Sequence, residues 1–143
     1  MHRRGFVKRS GVMCALSLGG CLGEGEREPE REPVVDHWSD RVTWDEAVDT
    51  EAYVEAFRYA FDPTSVRVTL GDRVGLAMTS TDNGYHAGHG IGIDEFDVRI
   101  EAREEDVDQT IFTADQPGNF EMWCTVWCSD GHHGMRGSFV VEP

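Results

Sequence analysis

Cys124-Thr-Val-Trp-Cys128-Ser-Asp-Gly-His132-His-Gly-Met135 places two thiols, an imidazole and a thioether in one short stretch, in the pattern C-x3-C-x3-H-x2-M. The chain alternates on both sides of it. Phe120, Met122 and Cys124 share one parity before the stretch, and Gly137-Ser-Phe-Val-Val-Glu142 reads as a closing strand after it. A ligand-rich loop held between two strands is the unit from which the rest is read. Soft sulfur donors together with imidazole suit copper, and a thioether beside thiolate and imidazole marks copper electron-transfer centres. Zinc sites are usually completed by Cys and His alone, so Met135 argues against zinc. The second thiol matters most. A mononuclear blue site uses one Cys, whereas two Cys one loop-turn apart can bridge two metal ions.

At these residues the chain resembles the binuclear copper (CuA) domain of cytochrome c oxidase subunit II, which also forms the C-terminal domain of nitrous oxide reductase. The resemblance covers 46–143 and implies an all-β, cupredoxin-like Greek-key β-sandwich with two copper ions as cofactor. Carried over, Cys124 and Cys128 bridge the coppers, His132 is a terminal ligand on one, and Met135 is a weak ligand on the other. The backbone carbonyl of Val126 completes the ligand set. The family's upstream His opens a segment of the form H-G-apolar-x-apolar. His89-Gly-Ile-Gly-Ile93 fits this form, while His86, followed by Ala-Gly-His, fits poorly and reads as a solvated loop histidine. His133 falls one residue out of register and reads as exposed or outside the ligand set.

The function implied is electron transfer, with a redox protein as donor and an oxidase or reductase as acceptor. No catalysis is expected of this chain alone. Two alternatives stay open: a mononuclear blue copper carrier of the halocyanin or plastocyanin kind, using Cys128, His132, Met135 and His89, and a copper delivery protein. A plain Cys124–Cys128 disulfide would leave His132 and Met135 unexplained. Subunit II of oxidases carries transmembrane helices, and no segment here reads as one. Val126 stands where oxidase relatives often have a Glu that helps bind magnesium. A backbone ligand survives that change; the magnesium contact does not.

The N-terminus reads as an export signal. Arg3 and Arg4, with Lys8 and Arg9, precede a short, Gly-rich apolar run from Gly11 to Leu22, resembling a twin-arginine (Tat) signal. Leu18-Gly-Gly-Cys21 resembles a lipobox, in which Cys21 carries the lipid. The expected organisation is a signal over 1–20, lipidated Cys21 and an acidic linker over 21–45, then the domain over 46–143. Such a protein sits on the outer face of the cell membrane, held by its lipid. Gly23 to Pro33 is charged and free of apolar residues, so it reads as a tether.

Of 13 basic residues four lie in the signal, leaving nine against 27 acidic ones, a formal charge of −18. That field repels nucleic acid and excludes it as a partner. The acids are spread along the chain and lysine is absent after the signal, a pattern of halophile-like surface acidity.

Between linker and ligand loop the expected elements are short strands. Asp45 to Ala56 passes for a helix on composition. Phe57, Tyr59 and Phe61 alternate until Asp62-Pro63 stops the run. Val66, Val68 and Leu70, the turn Gly71-Asp72, and Val74, Leu76 and Met78 read as strand, tight turn, strand. Thr79 to Gly92 is a Gly-rich loop entering a strand, on which His89 shares parity with Ile91 and Ile93. Phe96, Val98 and Ile100 form another strand, and Thr110 to Thr113 pairs with Phe120 to Cys124 around Pro117-Gly118. Trp127, beside the second thiol, is placed to shield a metal from water. Together these predict an antiparallel β-sandwich.

Overall fold

The computed structural model describes residues 37–143. The signal read at 1–20, Cys21 and the charged run Gly23 to Pro33 lie outside the described residues. Nine strands occur among those described: β1 (Thr50–Phe57), β2 (Ala60–Asp62), β3 (Ser65–Thr69), β4 (Arg73–Ser80), β5 (His89–Ile93), β6 (Val98–Ala102), β7 (Val107–Thr113), β8 (Gly118–Trp123) and β9 (Arg136–Glu142). They form two sheets, ordered β2-β1-β4-β7 and β3-β9-β8-β5-β6, packed as a Greek-key sandwich. The all-β, cupredoxin-like reading holds. It is not wholly antiparallel: β1 runs parallel to β4 and β3 parallel to β9, because the chain crosses between sheets instead of folding back beside itself.

Alternation explains most of the strands. In β3, Val66 and Val68 are buried between exposed neighbours, and in β6 Val98, Ile100 and Ala102 do the same. β4 is central in its sheet and buried along nearly its whole length, as expected for a strand covered on both faces. Its two buried hydroxyls are satisfied: Thr79 donates to the Asp106 carbonyl and Ser80 to that of Ala102. Phe61, Phe139, Leu76, Met78, Ile91 and Ile93 fill the core, each contributing about 1.5–3 kcal/mol by leaving water. Phe96, Phe112, Phe120 and Phe139 cluster at ring separations of 4.9–5.6 Å.

Four local expectations are corrected. Asp45 to Ala56 is not helical: Ala52, Val54 and Ala56 are buried at period two, which makes β1 a strand despite its helix-compatible composition. The aromatic alternation through Phe61 is broken at Arg58-Tyr59, where the chain turns back and pairs β2 with β1. The strands around Gly71-Asp72 are not a hairpin, since β3 lies in one sheet and β4 in the other. The same holds for β7 and β8 around Pro117-Gly118.

The folded unit also begins earlier than residue 46. Trp38 packs edge-on against Tyr53 at 5.8 Å and donates its indole N–H to Glu55. Trp44 lies so close over Gly75 that a Cβ there would stand 2.9 Å from its ring, so β4 needs glycine at that point. Gln109 donates to the Thr43 carbonyl at 2.7 Å. Residues 37–45, read as linker, are therefore a packed strap on the first sheet. No helix among the described residues is long and apolar enough to cross a membrane.

Candidate metal centre

The fold brings all six sequence-read donors together. Cys124 follows the last residue of β8, and Met135 precedes the first residue of β9. Those two strands pair up to Trp123↔Arg136, so both ends of the ligand loop are fixed by a ladder. The Cys124 amide adds a bond to the Met135 carbonyl. Within the loop, Cys128 Sγ lies 3.9 Å from Cys124 Sγ, 3.9 Å from Met135 Sδ and 3.7 Å from His132 Nδ1. Cys124 Sγ is 3.1 Å from the Val126 carbonyl oxygen. Both thiols are free and buried, as is Met135; His132 is half-buried.

The upstream histidine comes from β5. His89 is completely buried, and one of its ring nitrogens lies with both sulfurs inside a 4.8 Å cluster. Its Nε2 stands 2.7 Å from Asp82 Oδ1, while Nδ1 is buried with no hydrogen-bond partner. His89 shares its face with Ile91 and Ile93. The opposite face must admit the ligand loop: a Cβ at Gly90 would stand 2.0 Å from Thr125 Oγ1. Glycine after the ligand histidine is thus a packing requirement.

His86 is exposed and packs edge-on against Tyr85 at 4.3 Å, outside the cluster. His133 is exposed, and its carbonyl accepts from Arg136 Nε. Trp127 does not seal the site. It is 51 % exposed and leans on Tyr85 at 5.0 Å; the sulfurs are shielded by their own burial.

The electrostatics divide the two thiols. Burial opposes ionisation of Cys124, but the His89 side chain and backbone hydrogen bonds at Gly90 and Val126 outweigh it and draw the thiol below its ordinary range. Cys128 is pushed up to about 12, by burial and by the charge of Cys124. His89 is raised: burial works against its cation, yet Cys124 and Asp82 prevail. His132 is lowered by burial and by the nearby charges of His133 and Arg136, which keeps its imidazole neutral and available as a donor. A closed set of soft donors, one orphaned buried nitrogen and a thiol pair that resists double ionisation without a cation all fit a thiophilic metal ion.

Sequence reading missed Asp82 and the turn at Arg58-Tyr59. Asp82 accepts from the backbone N–H groups of Arg58 and Gly84 as well as facing His89. Arg58 also donates to the Gly84 carbonyl, and the Tyr59 hydroxyl bonds Ser129 in the ligand loop. A lone Asp in a Gly-rich loop carries no periodic signal that would mark it.

The two-sheet sandwich, with Cys, His and Met side chains hung between its last two strands, has the cupredoxin-like fold. The chain is similar in sequence to cytochrome c oxidase subunit 2 of Thermus thermophilus, at 28% identity over 90 residues, covering 63% of this chain and 64% of that protein. It is also similar to nitrous-oxide reductase of Ralstonia nicotianae, at 33% identity over 76 residues, covering 53% of this chain and 12% of that protein. Both matches span less than two thirds of the relative's length. In fold it is similar to the periplasmic domain of subunit II of cytochrome oxidase from Bradyrhizobium japonicum, with a TM-score of 0.59 and 16% identity over 67% of this chain and 86% of that one. No protein-family model matches the chain.

Proposed function

We propose that this chain is a copper-binding electron-transfer domain with a binuclear, CuA-type centre. Cys124 and Cys128 would bridge two copper ions. His132 and the Val126 carbonyl would complete one, and His89 and Met135 the other. The observation that carries the reading is the pair of buried sulfurs 3.9 Å apart, with His89, His132, Met135 and the Val126 carbonyl gathered around them. A bound copper pair supplies one-electron redox chemistry. The chain's part is to fix the ligands, and a strand-anchored loop on a packed sandwich does so with little room for rearrangement, which suits rapid electron exchange. Buried ligands also speak for electron transfer over delivery, which needs donors open to exchange.

A mononuclear reading has one observation in its favour. Cys128 alone touches both His132 and Met135, and with His89 they make a complete two-nitrogen, two-sulfur set. The ionisation of Cys124 below its ordinary range weighs against leaving it a spectator. Electron paramagnetic resonance with a copper count on the purified protein separates the two. Two coppers per chain with a seven-line hyperfine pattern support the binuclear centre; one copper with a four-line signal overturns it.

The relatives are an oxidase subunit and a reductase, so the partners proposed are a redox donor and an acceptor of that kind. We place the domain on the outer face of the cell membrane. Export by the twin-arginine route and lipid attachment at Cys21 rest on the motifs at 1–22. Metabolic labelling with a fatty acid, lost in the variant C21A, tests the anchor.

A further inference from the structure

We propose that Asp82 is a positioning residue for the metal centre, which selects the ring nitrogen that His89 offers to copper. The inference deepens the copper reading above and rests on it. A neutral imidazole has one N–H and one lone pair, and the partner beside one nitrogen decides where the proton sits. A carboxylate only accepts. With Asp82 Oδ1 at 2.7 Å from Nε2, that nitrogen must donate, so the lone pair is on Nδ1. Nδ1 is the buried nitrogen with no hydrogen-bond partner, and His89 stands in the cluster with Cys124 and Cys128. The ring is fully buried, where close packing opposes a ring flip, and the Asp82 contact favours this orientation.

Asp82 is itself fixed by two separate segments. Its Oδ1 accepts the Gly84 N–H at 2.7 Å, within its own loop, and its Oδ2 accepts the Arg58 N–H at 2.9 Å from the turn between β1 and β2. Arg58 Nε adds an ion pair at 3.8 Å, and the same side chain donates to the Gly84 carbonyl. The loop over 81–88 and the first hairpin thus clamp the carboxylate that clamps the ligand. Loss of such an outer partner of a ligating histidine weakens metal affinity by about 10- to 100-fold.

The test uses the full chain as wild type, D82A and D82N, with copper ions as the probe. Nitrogen-15 correlation spectra of the metal-free protein at mildly alkaline pH report which nitrogen of His89 carries the proton. Competition titration reports copper affinity, and electron paramagnetic resonance reports the centre. Wild type is expected to hold the Nε2–H form. D82A should lose that preference, bind copper about 10- to 100-fold more weakly and show altered hyperfine splitting. D82N keeps Oδ1 as acceptor for His89 and Gly84, losing the Arg58 amide bond and the Arg58 ion pair, and should retain the tautomer and most of the affinity. If D82A fails to fold, the wild-type tautomer decides: a proton on Nδ1 of His89 in place of Nε2 overturns the proposal. D82A equal to wild type in tautomer and affinity overturns the proposal and leaves the copper reading standing; D82N falling as far as D82A also overturns it. A wild-type protein that takes up no copper overturns the copper reading itself.

Discussion

Replacing Cys124 by Ser strikes the shared feature of the proposed centre. The two sulfurs are 3.9 Å apart. Two unit charges at that distance repel by about 4 kcal/mol at an effective dielectric constant of about 20, roughly a thousandfold against the second ionisation. Added to burial, that repulsion accounts for Cys128 standing near 12 while Cys124 lies below its ordinary range. Loading must therefore displace the Cys128 proton. Copper affinity should rise with pH, by about tenfold per pH unit for each proton released. In C124S that repulsion is gone, leaving burial and the charge of Asp82 to hold the Cys128 proton, so the loading curve moves to lower pH. The bridge is gone as well, leaving Cys128, His132, Met135 and His89 to hold a single copper. Copper stoichiometry and hyperfine pattern, measured across the neutral pH range for wild type and variant, read both effects. A variant that keeps two coppers, a seven-line pattern and the same loading curve would refute the reasoning.

Three further outcomes follow from the geometry. H89A removes the buried ring and should abolish tight copper binding, whereas H86A, at an exposed position, should leave stability within about 0.5 kcal/mol and copper binding unchanged; equal losses would place the wrong histidine in the site. G90A would press a methyl group onto Thr125 Oγ1 at 2.0 Å, costing about 1–3 kcal/mol, with Tm falling about 4–8 °C per kcal/mol, and G90A/T125A should recover part of it. Calorimetry of W44A should show a loss of up to about 3 kcal/mol, because the indole covers Gly75; an unchanged Tm would return residues 37–45 to the linker.

The candidate site was more legible in the sequence than the fold around it. The ligand loop is local: its donors recur at short spacing between two alternating runs, and β5 announces itself by His89, Ile91 and Ile93 on one face. Which sheet a strand joins is not local. Gly71-Asp72 and Pro117-Gly118 look the same whether the next strand folds back or crosses the sandwich, and here both cross. The alternation from Val54 to Phe61 runs through the turn at Arg58-Tyr59, so the pattern alone concealed a hairpin. Residues 37–45 lack any period because they hold one short 3-10 turn, Trp38–Arg41, and then a strap, anchored by the rings of Trp38 and Trp44. Asp82 looks like an ordinary turn residue, and it does accept the amide two residues on. Its second role appears only when the loop carries it against His89.

The ladder between β8 and β9 closes below the donors, at Trp123↔Arg136, and runs from there to Gly118↔Val141. Above that seam scaffold and chemistry share residues: Cys124, Cys128 and Met135 are at once sulfur donors and members of the buried core, so exchanging a donor also exchanges core volume.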